Sequence, residues 1–568
     1  MSIKETALKF ALKNAHEYGQ AEPKSVISKL LAEAPEAKKD MRANLEIVKE
    51  VCAHVNGLSK PQLEKEMSKF TYVEKEGKHG HEWTLDGAIK GHVITRFAPE
   101  PSAFPHIGHA KALFLVEKVS QTYGRKVSML RFDDTNPENE EQEFVEAFTR
   151  DAKWLGVEFE EKEPRFASDH VLAYYKYADQ LIKQNDAYSC TCEQEEISAD
   201  REAMRPCVHR NKSTKEVAED FERMKKGLVR EGLMTLRLKG DMKSLNTTLR
   251  DPVIFRVIDK PHYRQGGKYK AWPVYDFETP IEDSLTGVTH VLRSKEYELR
   301  DELYKILLNK LKLRVPVIYD FSRLEIKGTL LSKRLLKPLI AEKLVWGWDD
   351  PRLPTIAGVR RRGILPQALR EFVQSFGLSK VESEPGWDKL LSFNRKLLEP
   401  VSEHYYVTPS PKRLIVKNAK PEKLNLPKLA NDPSKGPRVL NLEKEFFIAQ
   451  TDFDALKDGE VFRLKGAYNV KISKKSHDFI EGENVGTDLI KGRIVQFVPA
   501  KDAVECTIVK LGDLVNEKGE FNANSLQEEK AVAESSVTGL KEGQIIQAER
   551  VGYLKLDSHT RKRFILAS

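Results

Sequence analysis

The spacing of apolar residues changes texture several times along the chain. From Ile3 to Tyr18 apolar positions recur at helical spacing (Ala7, Leu8, Ala11, Leu12, Ala15), and Ala43 to Val55 repeats the pattern. Ser59-Lys60-Pro61 and the Lys75-Glu76-Gly77-Lys78-His79-Gly80 stretch act as punctuation. Residues 1–85 therefore read as an N-terminal helical extension carrying no chemistry. From Gly91 short strands alternate with helices: His92 to Phe97, the helix Gly108 to Gly124, Val127 to Phe132, and the helix Glu140 to Leu155. Strands separated by helices of this length predict right-handed βαβ units and a parallel sheet.

Residues 187–270 interrupt this pattern with cysteines and basic segments. The α/β texture returns with Pro273-Val274-Tyr275-Asp276-Phe277, the helix Glu298 to Leu311 and the strand Val315 to Asp320. The sheet is thus split into halves at 86–186 and 271–344. Residues 345–400 read as helical, with Pro366 to Phe376 the clearest helix. Beyond Val401, short strands such as Arg413 to Val416, Glu445 to Ala449 and Gly492 to Val498 predict one or two β-barrels over 401–568. The expected fold class is multidomain α/β plus all-β.

Composition narrows this picture only slightly. The chain has 568 residues, 32% charged and 40% hydrophobic, and a net charge of +8, a mild hint of a polyanionic partner. No apolar run approaches the ~18–20 residues of a membrane span. Met1 to Lys13 lacks a cleavage-site pattern, so the expected location is the cytoplasm, with no membrane partner. Of five cysteines, three lie between Cys190 and Cys207. Cys190-Thr191-Cys192 and Cys207-Val208-His209 form Cys-x-Cys and Cys-x-His pairs, which suit a tetrahedral structural Zn²⁺ site; free thiols in a reducing compartment are the alternative.

The stretch Ala103 to Phe114 carries His106-Ile107-Gly108-His109 between the first strand and its helix, at the carboxyl edge where such sheets bind ligands. Helix N-terminal amides there favour phosphate, and the two imidazoles can supply charge-assisted hydrogen bonds to its oxygens. Gly108 would let a nucleotide approach the backbone. A metal pair or a surface histidine pair is the competing reading. Leu330-Leu331-Ser332-Lys333-Arg334 follows the last sheet strand and can close over phosphates from the opposite side, with Lys333 as a mobile point charge.

Together these segments resemble the two signatures of the class I aminoacyl-tRNA synthetases. The first matches to the letter; the second lacks its leading lysine at Leu330 and ends in arginine. Arg96-Phe97-Ala98-Pro99-Glu100-Pro101, Arg131 to Pro137, Tyr275-Asp276-Phe277 and Gly347 to Arg352 are similar to the glutamyl/glutaminyl branch, in its archaeal/eukaryotic form. The resemblance covers roughly residues 90 to 568. It implies a Rossmann-type catalytic domain split by an acceptor-binding insertion, a helical connecting subdomain and anticodon-binding barrels.

It also implies the site. ATP with Mg²⁺ would be held by His106, Gly108, His109, Arg323, Leu324, Ser332 and Lys333, with His106, His109 and Lys333 catalytic. Arg96, Asp134, Tyr275, Arg293, Tyr297 and Ile318 would line the amino-acid pocket, with Asp134 holding the substrate ammonium. A side-chain carboxylate entering a partly dehydrated pocket needs a cation. Arg293, Tyr297 and Ile318 fit the glutamyl pattern, so L-glutamate is preferred over glutamine. The expected reaction forms glutamyl-adenylate and transfers glutamate to the terminal adenosine of tRNA-Glu, and in some relatives tRNA-Gln. The resemblance allows a zinc at Cys190, Cys192, Cys207 and His209. Arg360, Arg361, Arg362, Arg463, Lys465 and the terminal Arg561-Lys562-Arg563 are candidate tRNA contacts, and the chain is expected to act as a monomer. A cofactor adenylyltransferase and a catalytically silent tRNA-binding paralogue are the rival classes; the first is too short, and the second predicts a degraded site.

Overall fold

A computed structural model describes residues 3–18, 20–33, 40–67, 69–70, 83–557 and 563–568. The Lys75 to Gly80 stretch and Arg561-Lys562 lie outside the described residues. The chain divides into two compact units, Met1–His81 and Glu82–Ser568. The boundary falls before 85 because Leu85 is buried in the core of the larger unit and its amide bonds to the Tyr123 hydroxyl at 2.7 Å.

The smaller unit consists of α1 (Ile3–Tyr18), α2 (Pro23–Glu33), α3 (Met41–Asn56) and α4 (Lys60–Met67). Ala7, Ala11, Leu12, Val26, Leu30, Val48 and Val51 interdigitate as its core, which is the helical periodicity read from the sequence. Asn14 and Asn56 accept hydrogen bonds from the amides of Glu22 (2.8 Å) and Ala21 (2.6 Å), pinning the turn between α1 and α2.

The larger unit opens with β1 (Arg96–Phe97), α5 (Ile107–Thr122), β2 (Met129–Phe132), α6 (Gln142–Trp154), β3 (Arg165–Phe166) and α7 (Val171–Lys183). The three strands pair in parallel, Arg96 beside Met129 and Arg131 beside Arg165. The insertion is a four-stranded antiparallel sheet of β4 (Ala187–Cys190), β5 (Thr235–Leu238), β6 (Val253–Val257) and β7 (Ala271–Pro273). It carries α8 (Gln194–Glu202) and α9 (Thr214–Lys225), the latter started by a Ser213/Glu216 capping box. Because β7 completes that sheet, the insertion runs to Pro273 rather than 270. Tyr275, expected on a strand, instead begins α10 (Tyr275–Leu285).

The second half of the split sheet follows as β8 (His290–Ser294), α11 (Asp301–Leu311) and β9 (Val317–Phe321), with β8 and β9 parallel. The Thr289 amide donates to the Ile94 carbonyl at 2.9 Å, which sets β8 beside β1 and gives the strand order β3-β2-β1-β8-β9. The order reverses between β1 and β8, and these two strands belong to separate ladders. A crevice at that reversal is where such sheets bind ligands.

Four helices complete the catalytic part: α12 (Lys333–Ala341), α13 (Ile356–Arg362), α14 (Pro366–Gln374) and α15 (Trp387–Leu398). α14 packs Ala368, Leu369, Phe372 and Val373 into the core that α5 shares with the sheet.

Beyond Val401 lie two nearly closed barrels, each built on a seven-stranded sheet. In one, the edge strands Ile494–Val495 and Phe497–Pro499 are consecutive in the chain, so the sheet bends back on itself at Gln496. In the other, His404–Tyr405 and Val407–Pro409 occupy the two edges in the same way, around Tyr406. One bent segment thus removes both exposed edges of each sheet. Among the described residues, no helix is long and apolar enough to cross a membrane.

Candidate active site

The histidine pair is shaped by its own backbone. His106 is the N-cap of α5 with φ −134° and ψ 176°. Its Nδ1 accepts from the Gly108 amide at 3.1 Å, and Nδ1 of His109 accepts from the His106 amide at 3.2 Å. Two orphan amides at the helix start are satisfied by imidazole nitrogens instead of a serine or carboxylate. Both rings therefore carry their hydrogen on Nε2 and are neutral. Burial, with Arg323 nearby, pushes the His106 pKa down to about 4; burial and His106 push His109 well below the usual range. In the expected charge-assisted hydrogen bonds the charge would therefore lie on the phosphate oxygens, the imidazoles being neutral N–H donors with ring centroids 3.9 Å apart. Gly108 also serves the protein's own packing. A Cβ there would stand 2.8 Å from His106 Cε1, so the protein's own imidazole already needs the space a side chain would fill.

The second loop sits opposite. Ala103, Phe104 and His106 line a narrow cleft together with Leu330, Leu331 and Lys333. The Lys333 ammonium donates to the Ser102 carbonyl and lies 4.3 Å from the centre of the Phe144 ring. Ser332 is the N-cap of α12, exposed and without a side-chain capping bond. Leu330, where the resemblance wants lysine, packs with Leu336, Leu514 and Val515, a joint between this loop and the chain of a C-terminal barrel. Gly328 makes that joint close: its φ is +76°, and a Cβ would fall 2.4 Å from Asp513 Cγ. Arg323 is half exposed and pairs with Glu296 at 3.2 Å. Leu324 is 2% exposed in the core, so its side chain cannot flank an adenine and only its backbone can. Lys111, overlooked in the sequence, connects the two loops: its buried ammonium donates to Ser322 Oγ at 3.0 Å and to the Arg323 carbonyl at 3.4 Å. Burial lowers its pKa to about 8. A lysine one turn into an otherwise apolar helix face was the available signal.

The amino-acid end is a buried ion network. Arg96 donates from Nε and Nη2 to the two oxygens of Asp283 at 3.0 and 3.1 Å, and from Nη1 to the Leu292 carbonyl at 3.2 Å. Arg131 binds Asp133 through Nε (2.6 Å) and Nη2 (3.2 Å) and reaches Asp283 through Nη1 (2.7 Å). Tyr304 adds a fourth donor to Asp283 at 3.0 Å. Burial opposes the charge on Asp283, but Arg96 and Arg131 hold its carboxyl down, at about 2. Tyr275 and Tyr297 lie against one another at 4.8 Å between ring centroids, beside Arg293. Arg293 Nη2 donates to Asp301 and to the Tyr297 carbonyl (3.4 Å), while its buried Nε makes no hydrogen bond and faces Asp320 Oδ1 at 3.7 Å. Ile318 pairs with Val291 on the strand next to Arg293 and packs with Met129 and Val288.

Asp134 does not belong to this pocket. It is fully buried, and its oxygens accept from the Ser168 amide (2.8 Å), Ser168 Oγ (2.9 Å) and Tyr263 OH (2.8 Å). Burial and the neighbouring Glu140 raise its pKa to about 7. The preceding residue, Asp133, is the carboxylate on the side of Arg96, Tyr275 and Tyr297. Adjacent residues leaving a strand point to opposite sides, and two consecutive aspartates could not be told apart without knowing which side held the crevice.

The Cys/His cluster is compact. Sγ–Sγ distances are 3.6 Å (Cys190–Cys207) and 3.5 Å (Cys192–Cys207), and His209 Nδ1 lies 3.3 to 3.9 Å from the three sulfurs. Bonds of ~2.3 Å to a tetrahedral zinc imply ligand separations of about 3.5–3.8 Å, so the donor set fits that ion. His209 Nε2 has Thr191 Oγ1 at 3.0 Å, which fixes the ring with Nδ1 facing the sulfurs.

The candidate tRNA contacts fare worse. Arg361 is buried against Asp557, Nε and Nη2 at 3.1 and 3.0 Å. Arg362 is buried 4.3 Å from the Trp387 ring, and burial lowers its pKa to about 10. Neither can reach a phosphate; the sequence could not show that consecutive arginines at a short helix end face the core. Arg360 remains partly exposed, 3.7 Å from Asp151. Arg463 is spent on the carbonyls of Thr487 and Ala467 and on Asn469, and Lys465 pairs with Glu549. Arg563 pairs with Glu528 at 3.1 Å.

Residues 92–400 match the family described as tRNA synthetases class I (E and Q), catalytic domain. Residues 404–490 and 494–557 match its anti-codon binding domains. The chain is 39% identical to the glutamate–tRNA ligase of Nitrosopumilus maritimus over 99% of both chains. It is 36% identical to that of Korarchaeum cryptofilum (100% of this chain, 99% of the relative) and 35% to that of Pyrococcus furiosus (98% of each).

Proposed function

The chain belongs to the class I tRNA synthetases of the E and Q type, and from this premise we propose that it ligates L-glutamate to tRNA-Glu at the expense of ATP. The observation that carries glutamate over glutamine is Arg293: a buried guanidinium beside Tyr275 and Tyr297, held in place by Asp301 and Asp320. A γ-carboxylate beside this guanidinium accepts a charge-assisted hydrogen bond, stronger than the one a neutral amide would accept.

The reaction follows from the two ends of the site. Asp133 holds the substrate ammonium, and Arg96, fixed by Asp283, draws the α-carboxylate toward the crevice. An α-carboxylate oxygen attacks the α-phosphorus of ATP in line, and pyrophosphate leaves. The Nε2–H groups of His106 and His109 donate to phosphate oxygens without losing a proton, since neutral imidazoles this far below their usual pKa are donors and not acids. Lys333 turns from the Ser102 carbonyl onto the leaving phosphates as a mobile cation, with the Mg²⁺ that accompanies ATP as substrate. The terminal adenosine of tRNA then attacks the mixed anhydride through its hydroxyl and AMP departs, with no covalent enzyme intermediate.

We also infer that Cys190, Cys192, Cys207 and His209 hold a structural zinc. All four positions are filled by protein, so the ion would tie the end of β4 to the 207–211 turn and has no open site for catalysis. Pyrophosphate exchange with glutamate and with glutamine, each with and without tRNA, tests the function. Exchange driven by glutamate is expected, and exchange driven by glutamine alone overturns the reading of Arg293.

A further inference from the structure

We propose that Glu278 is a buried, neutral carboxylic acid whose hydrogen bond to Thr279 fixes the orientation of Asp133, making Glu278 and Thr279 positioning residues of the amino-acid pocket. The proposal rests on Asp133 as the ammonium partner.

Hydrogen counting comes first. Thr279 Oγ1 lies 2.9 Å from Asp133 Oδ2 and 2.9 Å from Glu278 Oε2. A hydroxyl has one hydrogen to give. With both carboxylates ionised, one of these contacts would set lone pair against lone pair where no water enters. A single chain satisfies both: Glu278 Oε2–H donates to Thr279 Oγ1, whose own hydrogen goes to Asp133 Oδ2. The reverse chain, with the proton on Asp133, is disfavoured because Asp133 already accepts two guanidinium bonds from Arg131.

Charge counting agrees. The buried charged groups around it are Arg96 from β1, Arg131 from β2 with Asp133 just beyond that strand, and Glu278, Glu282 and Asp283 from α10 itself. Glu282 has separate partners, His170 (2.8 Å) and the Tyr174 hydroxyl (2.6 Å), and Tyr304 from α11 faces Asp283. That leaves two guanidiniums against Asp133 and Asp283. A charge on Glu278 would be one too many, and uncompensated buried charge is the costliest arrangement available. The other oxygen of Glu278, Oε1, is buried with no partner. A neutral acid's carbonyl tolerates that; a carboxylate oxygen does not. Burial, then repulsion from Asp133, raises the pKa of Glu278 well above the ordinary range, in agreement with the geometry.

A neutral Glu278 spares Asp133 a like charge two hydrogen bonds away. Asp133 can then stay ionised, with one oxygen held by Thr279, for an incoming ammonium.

Glu278→Gln keeps a donor toward Thr279 without charge, Glu278→Met removes the donor, and Thr279→Val cuts the chain at its middle. In aminoacylation at saturating tRNA and ATP, Glu278→Gln is expected to keep KM for glutamate within about twofold of the unsubstituted protein. Glu278→Met and Thr279→Val should raise it about tenfold, as expected for a lost hydrogen bond to a charged group, with KM for ATP unchanged. The infrared difference spectrum, unsubstituted protein minus Glu278→Gln at neutral pH and without substrate, should show the carbonyl band of a protonated carboxylic acid. Absence of that band, or Glu278→Gln as damaging as Glu278→Met, overturns the neutral acid. An unchanged KM for glutamate in Thr279→Val overturns the positioning role. If the unsubstituted protein does not activate glutamate, the proposed function fails, while the infrared measurement still decides Glu278.

Discussion

The two ends of the active site are built in opposite ways. At the phosphate end, the His106 and His109 side chains are set by hydrogen bonds to amides two and three residues away. Lys333, partly exposed at the first position of α12, makes one carbonyl contact. At the amino-acid end, Arg96 and Arg131 meet Asp283 across 187 and 152 residues of chain. Every charged member of that network is buried. The first design is local and leaves its cation free to move with the phosphates. The second is preorganised, which suits orienting a small charged amino acid before it reacts, and it makes the pocket a folding element as well as a site.

Substitutions that separate stability from rate can break this contrast. Asp283→Ala, which leaves two buried guanidiniums without their shared carboxylate, should cost about 3–5 kcal/mol of stability in denaturant unfolding. Lys333→Ala should leave that unfolding curve in place and lower kcat by roughly 10²–10³. If the two variants unfold together, the contrast is wrong.

A second pair sharpens the pocket's limits. Asp133→Asn should raise KM for glutamate sharply, while Asp134→Asn should leave it near that of the unsubstituted protein. Asp134 titrates at about 7 when folded, against about 3.9 unfolded. The folded state therefore binds the extra proton between those values. Stability from this group is full below pH ~4 and is lost as pH rises toward ~7. Asp134→Asn should flatten that part of the stability–pH profile, and an unaltered slope would assign the titration elsewhere.

Smaller effects belong to the periphery. Cys192→Ser should abolish zinc retention in native mass spectrometry and lower the melting temperature, with KM for glutamate preserved. Zinc held as firmly as before would remove Cys192 from the ligand set. Arg360→Glu should weaken tRNA binding by less than about 1 kcal/mol, a single exposed contact. A large loss would make this arginine an anchor.

Much of the architecture was legible because it rests on local periodicity. α1 ends where its apolar spacing ends, and the strands at 413–416 and 445–449 were visible as short apolar runs. The change at Tyr275 was missed because a helix on a buried sheet begins with the same apolar and aromatic residues as a strand. At the site, the two signatures were legible as motifs, but the charge state of the histidines was not: capping by the imidazoles themselves, with burial, keeps them neutral. The choice between Asp133 and Asp134, and the burial of Arg361 and Arg362, depended on which side of an element met the core.

The sequence by itself determined the family, the split sheet, the two phosphate-facing segments and the Cys/His set, because each is written in residues a few positions apart or in a pattern of fixed period. Only the tertiary structure decided which aspartate stands beside Arg96, Tyr275 and Tyr297, that Arg96 is held by Asp283, that Leu330 serves a joint with a C-terminal barrel, and that Glu278 lies where a fifth charge has no partner. The physical reason is range. Periodicity and capping act within a turn or a strand, whereas the state of a buried charge is set by whichever groups the fold brings within a few ångströms of it, however far apart they lie in the chain.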